Sequence, residues 1–156
     1  MTIVKYSIVT LILISLLSNN SYSSDEFEEQ VIFNKKNEYI ITKSCEDIQA
    51  NTDILLSMYK ESDAAIATTW RVSVAKNIPS QAVAAIRLLS KAGVKPDRYC
   101  MDPFFETDEI TLKTWLGNAI NALEAFTMNN GKEELFRCLC LEEIKSEYSE
   151  LNNKEQ

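Results

Sequence analysis

The 156-residue chain has no histidine, three glycines and three prolines. The lack of histidine removes the commonest general base near neutral pH and the commonest metal ligand. Gly93, Gly117 and Gly131 stand far apart, so no glycine-rich phosphate cradle can be built from them. Cysteine is present four times, but no Cys-x-x-Cys occurs, which argues against a redox pair. Cys138-x-Cys140 is not zinc spacing either, and no histidine completes a ligand set. Ser and Cys nucleophiles lack a matching base. Asp102 with Glu106, and Asp108 with Glu109, read as turn and helix-cap acids rather than catalytic pairs. The reading is non-enzymatic, with no cofactor and no metal.

Long apolar runs are also scarce. The one run, residues 7–17, follows Lys5 and precedes the small residues Ser21 and Ser23, spaced as a signal peptidase requires. It is too short for a membrane span, which needs about 20 apolar residues. Residues 1–23 are therefore read as a cleaved secretory leader. No cysteine stands at the cleavage site to take a lipid. The exported remainder, residues 24–156, is one unit more negative than the −7 of the full chain. That sign disfavours nucleic acid and anionic membrane as partners. The expected compartment is oxidising, a periplasm if the cell has one.

What is present is helical periodicity. Residues 24–43 are an exception: an acidic start is followed by Val31-Ile32-Phe33 and Tyr39-Ile40-Ile41, which reads as a loose hairpin or an extended arm. From Ser44, a good N-cap, Cys45, Ile48, Thr52, Leu55 and Tyr59 mark one face. Residues 63–76 repeat Ile66, Trp70 and Val74, and either continue that helix or follow a break at Glu61-Ser62. Ser80 reads as the cap of a third helix stapled by Ile78, with Val83, Ile86, Leu89 and Ala92 inward and Gly93 closing it in a left-handed cap. Thr107 reads as the cap of a fourth, facing inward through Leu112, Leu116, Ala119, Leu123 and Phe126, and ended by Asn129-Asn130-Gly131. Residues 133–151 form the last, lined by Phe136, Cys140, Ile144, Tyr148 and Leu151. The expected fold is all-α, a small disulfide-stapled bundle of four to five helices over residues 44–151, with a polar tail at 152–156.

Four cysteines in an exported chain argue for bridges. Residues two apart on a helix point about 200° apart, so Cys138 and Cys140 should not pair with each other. Two bridges are expected, Cys45 and Cys100 each taking one of them. A variant has one bridge and a free sulfur at Cys138 or Cys140. The loop at 93–106 then becomes the best candidate surface. It carries Lys95, Arg98, Tyr99, Asp102, Phe104 and Phe105, and Cys100 would anchor its middle. A pinned loop bearing Arg and aromatics suits a tight protein interface, because little entropy remains to be lost on binding. The competing reading folds Tyr99, Phe104 and Phe105 under to complete the core. Trp70 and Trp115 read as core or dimer-interface residues.

Two further segments carry a resemblance. Tyr99-Cys100-Met101-Asp102-Pro103 leads into a capped helix, and Phe136-Arg137-Cys138-Leu139 opens the last one. With the leader and the small helical domain, these resemble the periplasmic immunity proteins that bacteria make against type VI secretion amidase effectors. The similarity covers roughly Cys45 to Leu151 in patches; Cys140 and the N-terminal arm depart from it. It implies a helical homodimer that binds a secreted peptidoglycan amidase and plugs its catalytic cleft with a loop. Placing that role on residues 93–106 is an inference from composition. An acidic inhibitor would suit a basic, wall-binding enzyme. Two rivals stand beside it: a periplasmic acid-stress chaperone, and a helper subunit of a secretion machine.

Overall fold

The structure, a computed structural model, describes residues 24–100, 103 and 107–153; of residues 24–29 and of Arg98 only the backbone is described. The leader at 1–23 therefore lies outside the described residues, as do Asp102, Phe104 and Phe105. Among the described residues there is no strand. Six helices of nine residues or more are present: α1 (Ser24–Ser44), α2 (Thr52–Lys60), α3 (Ala64–Lys76), α4 (Ile78–Ala92), α6 (Glu109–Glu124) and α7 (Gly131–Asn153). A single-turn helix, α5 (Pro96–Tyr99), stands between α4 and α6. The all-α expectation holds, and the count is six rather than four to five.

The extra helices have clear origins. The segment expected as a hairpin or arm is continuous helix, α1. Its two β-branched and aromatic triplets suggested strands, but Ile32, Phe33 and Tyr39 stand exposed and only Ile41 is fully buried. Residues 44–76 break into two helices because Asp63 is extended and its carboxylate accepts from the Ile66 N–H at 2.9 Å, an N-cap that starts α3 afresh.

The trace divides into two compact units, Met1–Lys35 and Lys36–Gln156, the boundary falling within α1. In the first, the described residues form only the opening half of α1. The second holds the core. Its hub is α4, which packs against α2, α3, α6 and α7. Such a hub must be apolar around most of its circumference. Accordingly Ile78, Ala82, Ala85, Ile86, Leu88, Leu89 and Ser90 are all buried. Val83, expected inward, is at the exposed edge.

Of the stripes read for α6 and α7, Leu116, Ala119, Leu123, Cys140 and Ile144 are fully buried and Phe136 nearly so, while Leu112, Phe126, Tyr148 and Leu151 are partly buried against the core. Trp70 is fully buried and donates from Nε1 to the Leu55 carbonyl at 2.9 Å, so the indole costs no unsatisfied donor. Trp115 is buried on α6.

Three caps fall elsewhere than the sequence suggested. Ser44 is the last residue of α1, with helical dihedrals and no side-chain cap bond; a 3₁₀ turn, Cys45–Asp47, follows it. Ser80 lies inside the first turn of α4, which starts after Asn77. Asp108, not Thr107, caps α6, accepting from the Thr111 N–H at 2.8 Å and its hydroxyl at 2.6 Å. Those bonds favour the carboxylate and hold Asp108 below its ordinary pKa. The left-handed cap at Gly93 is as expected, with φ 71°. Asn130 opens α7 rather than closing α6: its Oδ1 accepts from the Lys132 N–H at 2.9 Å.

Candidate functional site

The segment between α4 and α6 leaves Gly93 in the left-handed conformation, which turns the chain off the α4 axis. Val94 is buried and Lys95 exposed. Pro96 starts α5, and its carbonyl accepts from the Cys100 N–H at 2.9 Å. Two anchors follow. Tyr99 is half-buried, with its ring edge-on to Tyr59 (6.1 Å between centroids) and to Trp70 (6.0 Å). Its hydroxyl is 3.3 Å from that of Tyr59. Such edge-to-face pairs add about 0.5–1.5 kcal/mol beyond area burial. Cys100 is fully buried and bonded to Cys140 of α7, with the Cα atoms 5.2 Å apart. Beyond the undescribed residues, Pro103 is buried and Asp108 is fixed as the α6 cap.

Of the residues read as partner-binding, Lys95 is exposed beside the anchors. Tyr99 faces the aromatic pair on α2 and α3, as the core-completing reading held. The Arg98 side chain and all of Asp102, Phe104 and Phe105 lie outside the described residues.

The cysteines correct the two-bridge expectation. Cys100–Cys140 forms, one of the pairings that helix geometry allowed. Cys45 and Cys138 are free thiols. Cys138 lies two residues from Cys140 and so faces away from it. There its sulfur sits 3.4 Å from an Arg137 guanidinium nitrogen and 3.6 Å from a Glu134 carboxylate oxygen. Cys45 is enclosed in the core, and that burial pushes its thiol up to about 12. A thiol so desolvated is a small hydrophobe, not a nucleophile.

Two polar constellations escaped the sequence reading. Arg137, buried in α7, donates from Nε and Nη2 to the Glu134 carboxylate and from Nη1 to the Leu123 carbonyl at 2.7 Å. Its guanidinium lies 5.8 Å from the Phe126 ring centre. Glu134 in turn accepts from the Met128 N–H at 2.7 Å. The pair thus fastens the end of α6 and the following turn to α7. The Arg137 bonds, with Met128, hold the Glu134 carboxyl down at about 2. The Glu-x-x-Arg spacing was the only visible signal.

The second is Gln81, whose dihedrals (φ −137°, ψ 38°) depart from helix inside α4. Its carboxamide oxygen accepts from the Ile48 N–H at 2.9 Å, and its nitrogen donates to the Cys45 carbonyl at 2.9 Å.

Among the described residues no three His, Cys, Asp or Glu side chains gather as a metal site requires, and no helix is long and apolar enough to cross a membrane. A disulfide between two fully buried sulfurs is consistent with an oxidising compartment. The chain matches no family model, no characterised protein and no solved structure.

Proposed function

We propose that this chain is a non-enzymatic, exported recognition protein that binds and inhibits a secreted cell-wall amidase, with the segment around residues 93–106 as its contact surface. The observation that carries the reading is the fixing of both flanks of that segment. On one side Tyr99 is clamped by Tyr59 and Trp70, and Cys100 is bonded to α7. On the other, Asp108 caps α6. Lys95 stands in solvent beside the first flank. Between the flanks the sequence places Asp102, Phe104 and Phe105, the aromatic and charged types that dominate interface energetics. Flanks held this way reduce the ordering cost that binding must overcome. The periplasmic address and the amidase as target come from the leader and from the resemblance to amidase immunity proteins.

The test is co-expression with secreted amidases encoded beside this gene, followed by purification and a wall-hydrolysis assay. A stoichiometric complex with hydrolysis abolished is expected. Arg98→Ala with Phe104→Ala should release the complex without lowering thermal stability. If no adjacent amidase binds, or if the double variant inhibits as well as the parent, the reading fails.

A further inference from the structure

The chain enters α7 through Asn129-Asn130-Gly131-Lys132, and all four residues are exposed. Asn130 stands at the head of the helix. Its Oδ1 accepts from the Lys132 N–H at 2.9 Å and from the Glu133 N–H at 3.4 Å. Its main-chain carbonyl accepts from the Glu134 N–H at 2.8 Å. The cap bonds fold the carboxamide forward over its own peptide link, toward the amides that follow. The first of those amides is Gly131. As the opening residue of α7, its N–H has no intrahelical acceptor.

The fold does not call for glycine at 131. Among the described residues only Gly93 is a glycine at positive φ. A Cβ added at Gly131 would meet nothing within 4 Å. Glycine is also a poorer helix former than alanine. What it supplies is chemical: an unhindered amide nitrogen beside an asparagine side chain.

Three features bear on that pair. The N–H donors on Oδ1 draw charge from Cγ and are placed to stabilise the oxyanion that forms when Cγ is attacked. No helical acceptor restrains the attacking nitrogen. The positive end of α7 favours the amide anion and the charged product alike.

We propose that Asn130–Gly131 is a self-modifying site, where the asparagine deamidates through a succinimide and leaves aspartate or isoaspartate at the head of α7. The Gly131 nitrogen gives its proton to solvent base and bonds to Cγ. The Cγ–Nδ2 bond then breaks, and Nδ2 takes up a proton and leaves as ammonia. Water opens the ring. Cleavage between Cγ and the Gly131 nitrogen gives aspartate; cleavage at the main-chain carbonyl gives isoaspartate. No oxidant takes part. The proposal does not rest on the amidase reading.

The products differ in consequence. Aspartate keeps the cap and adds a negative charge where the macrodipole favours one. Isoaspartate routes the main chain through the former side chain and removes the cap. It thereby disturbs the turn that Glu134 fastens through the Met128 N–H.

The purified protein, held in mildly alkaline buffer at body temperature and sampled over weeks, tests the proposal. Tandem mass spectrometry locates the mass gain of deamidation, and isoaspartyl methyltransferase labelling detects isoaspartate. Asn118, Asn121 and Asn129 share a tryptic peptide with Asn130 and serve as internal references. Conversion at Asn130 at least about ten-fold faster than at those three is expected, at a rate within about ten-fold of that in the urea-unfolded chain. Gly131→Ala, which has room for its methyl group, should slow conversion by about ten-fold or more. A native rate more than about ten-fold below the unfolded one would show that the cap protects the pair, and would overturn the proposal. So would the absence of any preference for Asn130, or a Gly131→Ala variant that reacts as fast as the parent.

Discussion

Replacing Gln81 by Ala should cost this protein about 2–4 kcal/mol, although the residue is polar and only partly buried. The cause is the junction between α1 and α2. A chain leaving one helix through a 3₁₀ turn and entering another leaves backbone groups without helical partners. Gln81, projecting from α4, engages the Ile48 N–H and the Cys45 carbonyl, each at 2.9 Å, with a longer 3.3 Å bond to the Glu46 carbonyl. Cys45 and Ile48 are both fully buried and the two bonds partly so, which limits how far water can take over. A typical hydrogen bond contributes about 0.5–1.5 kcal/mol net, but a buried group left without its partner costs about 1–3 kcal/mol. Two such groups give about 2–6 kcal/mol, and because both bonds are only partly buried the lower part of that range applies, against a total stability of about 5–15 kcal/mol for ordinary domains. Urea denaturation reads it as a lower midpoint at unchanged slope. The Gln81→Glu variant sharpens the test. At neutral pH its carboxylate would face two carbonyl oxygens, so the loss should match or exceed that of Ala. Its folded-state pKa would be raised, so stability should return as pH falls through that raised value and be complete below the ordinary carboxylate value, because the protonated acid can donate. A loss under about 0.5 kcal/mol for Gln81→Ala, or a pH-independent Gln81→Glu, would refute the argument.

The Cys100–Cys140 bridge closes a separation of 40 residues, for which loop entropy predicts about 4 kcal/mol. Cys140→Ser, or reduction of the wild type, should lower the urea midpoint accordingly and raise protease cutting between α4 and α6; unchanged cutting would show that the Tyr99 clamp alone holds that segment. The Glu134 carboxyl is held at about 2, below its ordinary value. Its contribution is therefore complete above about pH 4.5 and lost as pH falls from there toward 2. Glu134→Gln should flatten that part of the stability–pH curve and lower stability at neutral pH, read by thermal melts from pH 2 to 7. With iodoacetamide on the native protein, Cys138 should alkylate first, and Cys45 only at the rate of unfolding, since burial keeps its thiol protonated. Peptide mass mapping over time separates the two.

The parts of the fold readable from sequence are those where one periodic signal acts alone. Trp70, Leu116, Leu123 and Ile144 recur at helical steps and are fully buried. Gly93 ends α4 because only a residue tolerant of positive φ fits there. Elements governed by competition were not readable. α1 carries β-branched and aromatic triplets that favour strands locally, yet it is helical, a case of context overriding propensity. Thr107 and Asp108 are both acceptable caps; Asp108 prevails because both its oxygens find partners on Thr111. The candidate surface was readable as composition, but the inward turn of Tyr99 depends on where Tyr59 and Trp70 lie, 40 and 29 positions back in the sequence. The buried Arg137 was least visible. Its position depends on the Leu123 carbonyl at the end of another helix, which no spacing rule reveals.

Those hidden staples bear on why a second disulfide is not needed at the positions the cysteine count suggested. Cys45 was expected to tie the first helices to the rest of the bundle. Gln81 does that with hydrogen bonds to the backbone on either side of the 3₁₀ turn. Cys138 was expected to tie α7 to another element. Its neighbours Arg137 and Glu134 do so, joining α7 to Leu123 and Met128. The fastening that remains covalent holds the segment between α4 and α6. The two kinds of staple respond to different conditions. Reductant acts on the disulfide and leaves the Gln81 and Arg137 bonds intact, whereas acid erodes the Glu134 contribution as pH falls from about 4.5 toward 2. Opening in acid relies on carboxyls whose pKa is depressed in the fold, because protonating them removes stability. Glu134 is such a group, and its staple is untouched above about pH 4.5, where the disulfide and the Gln81 bonds also hold.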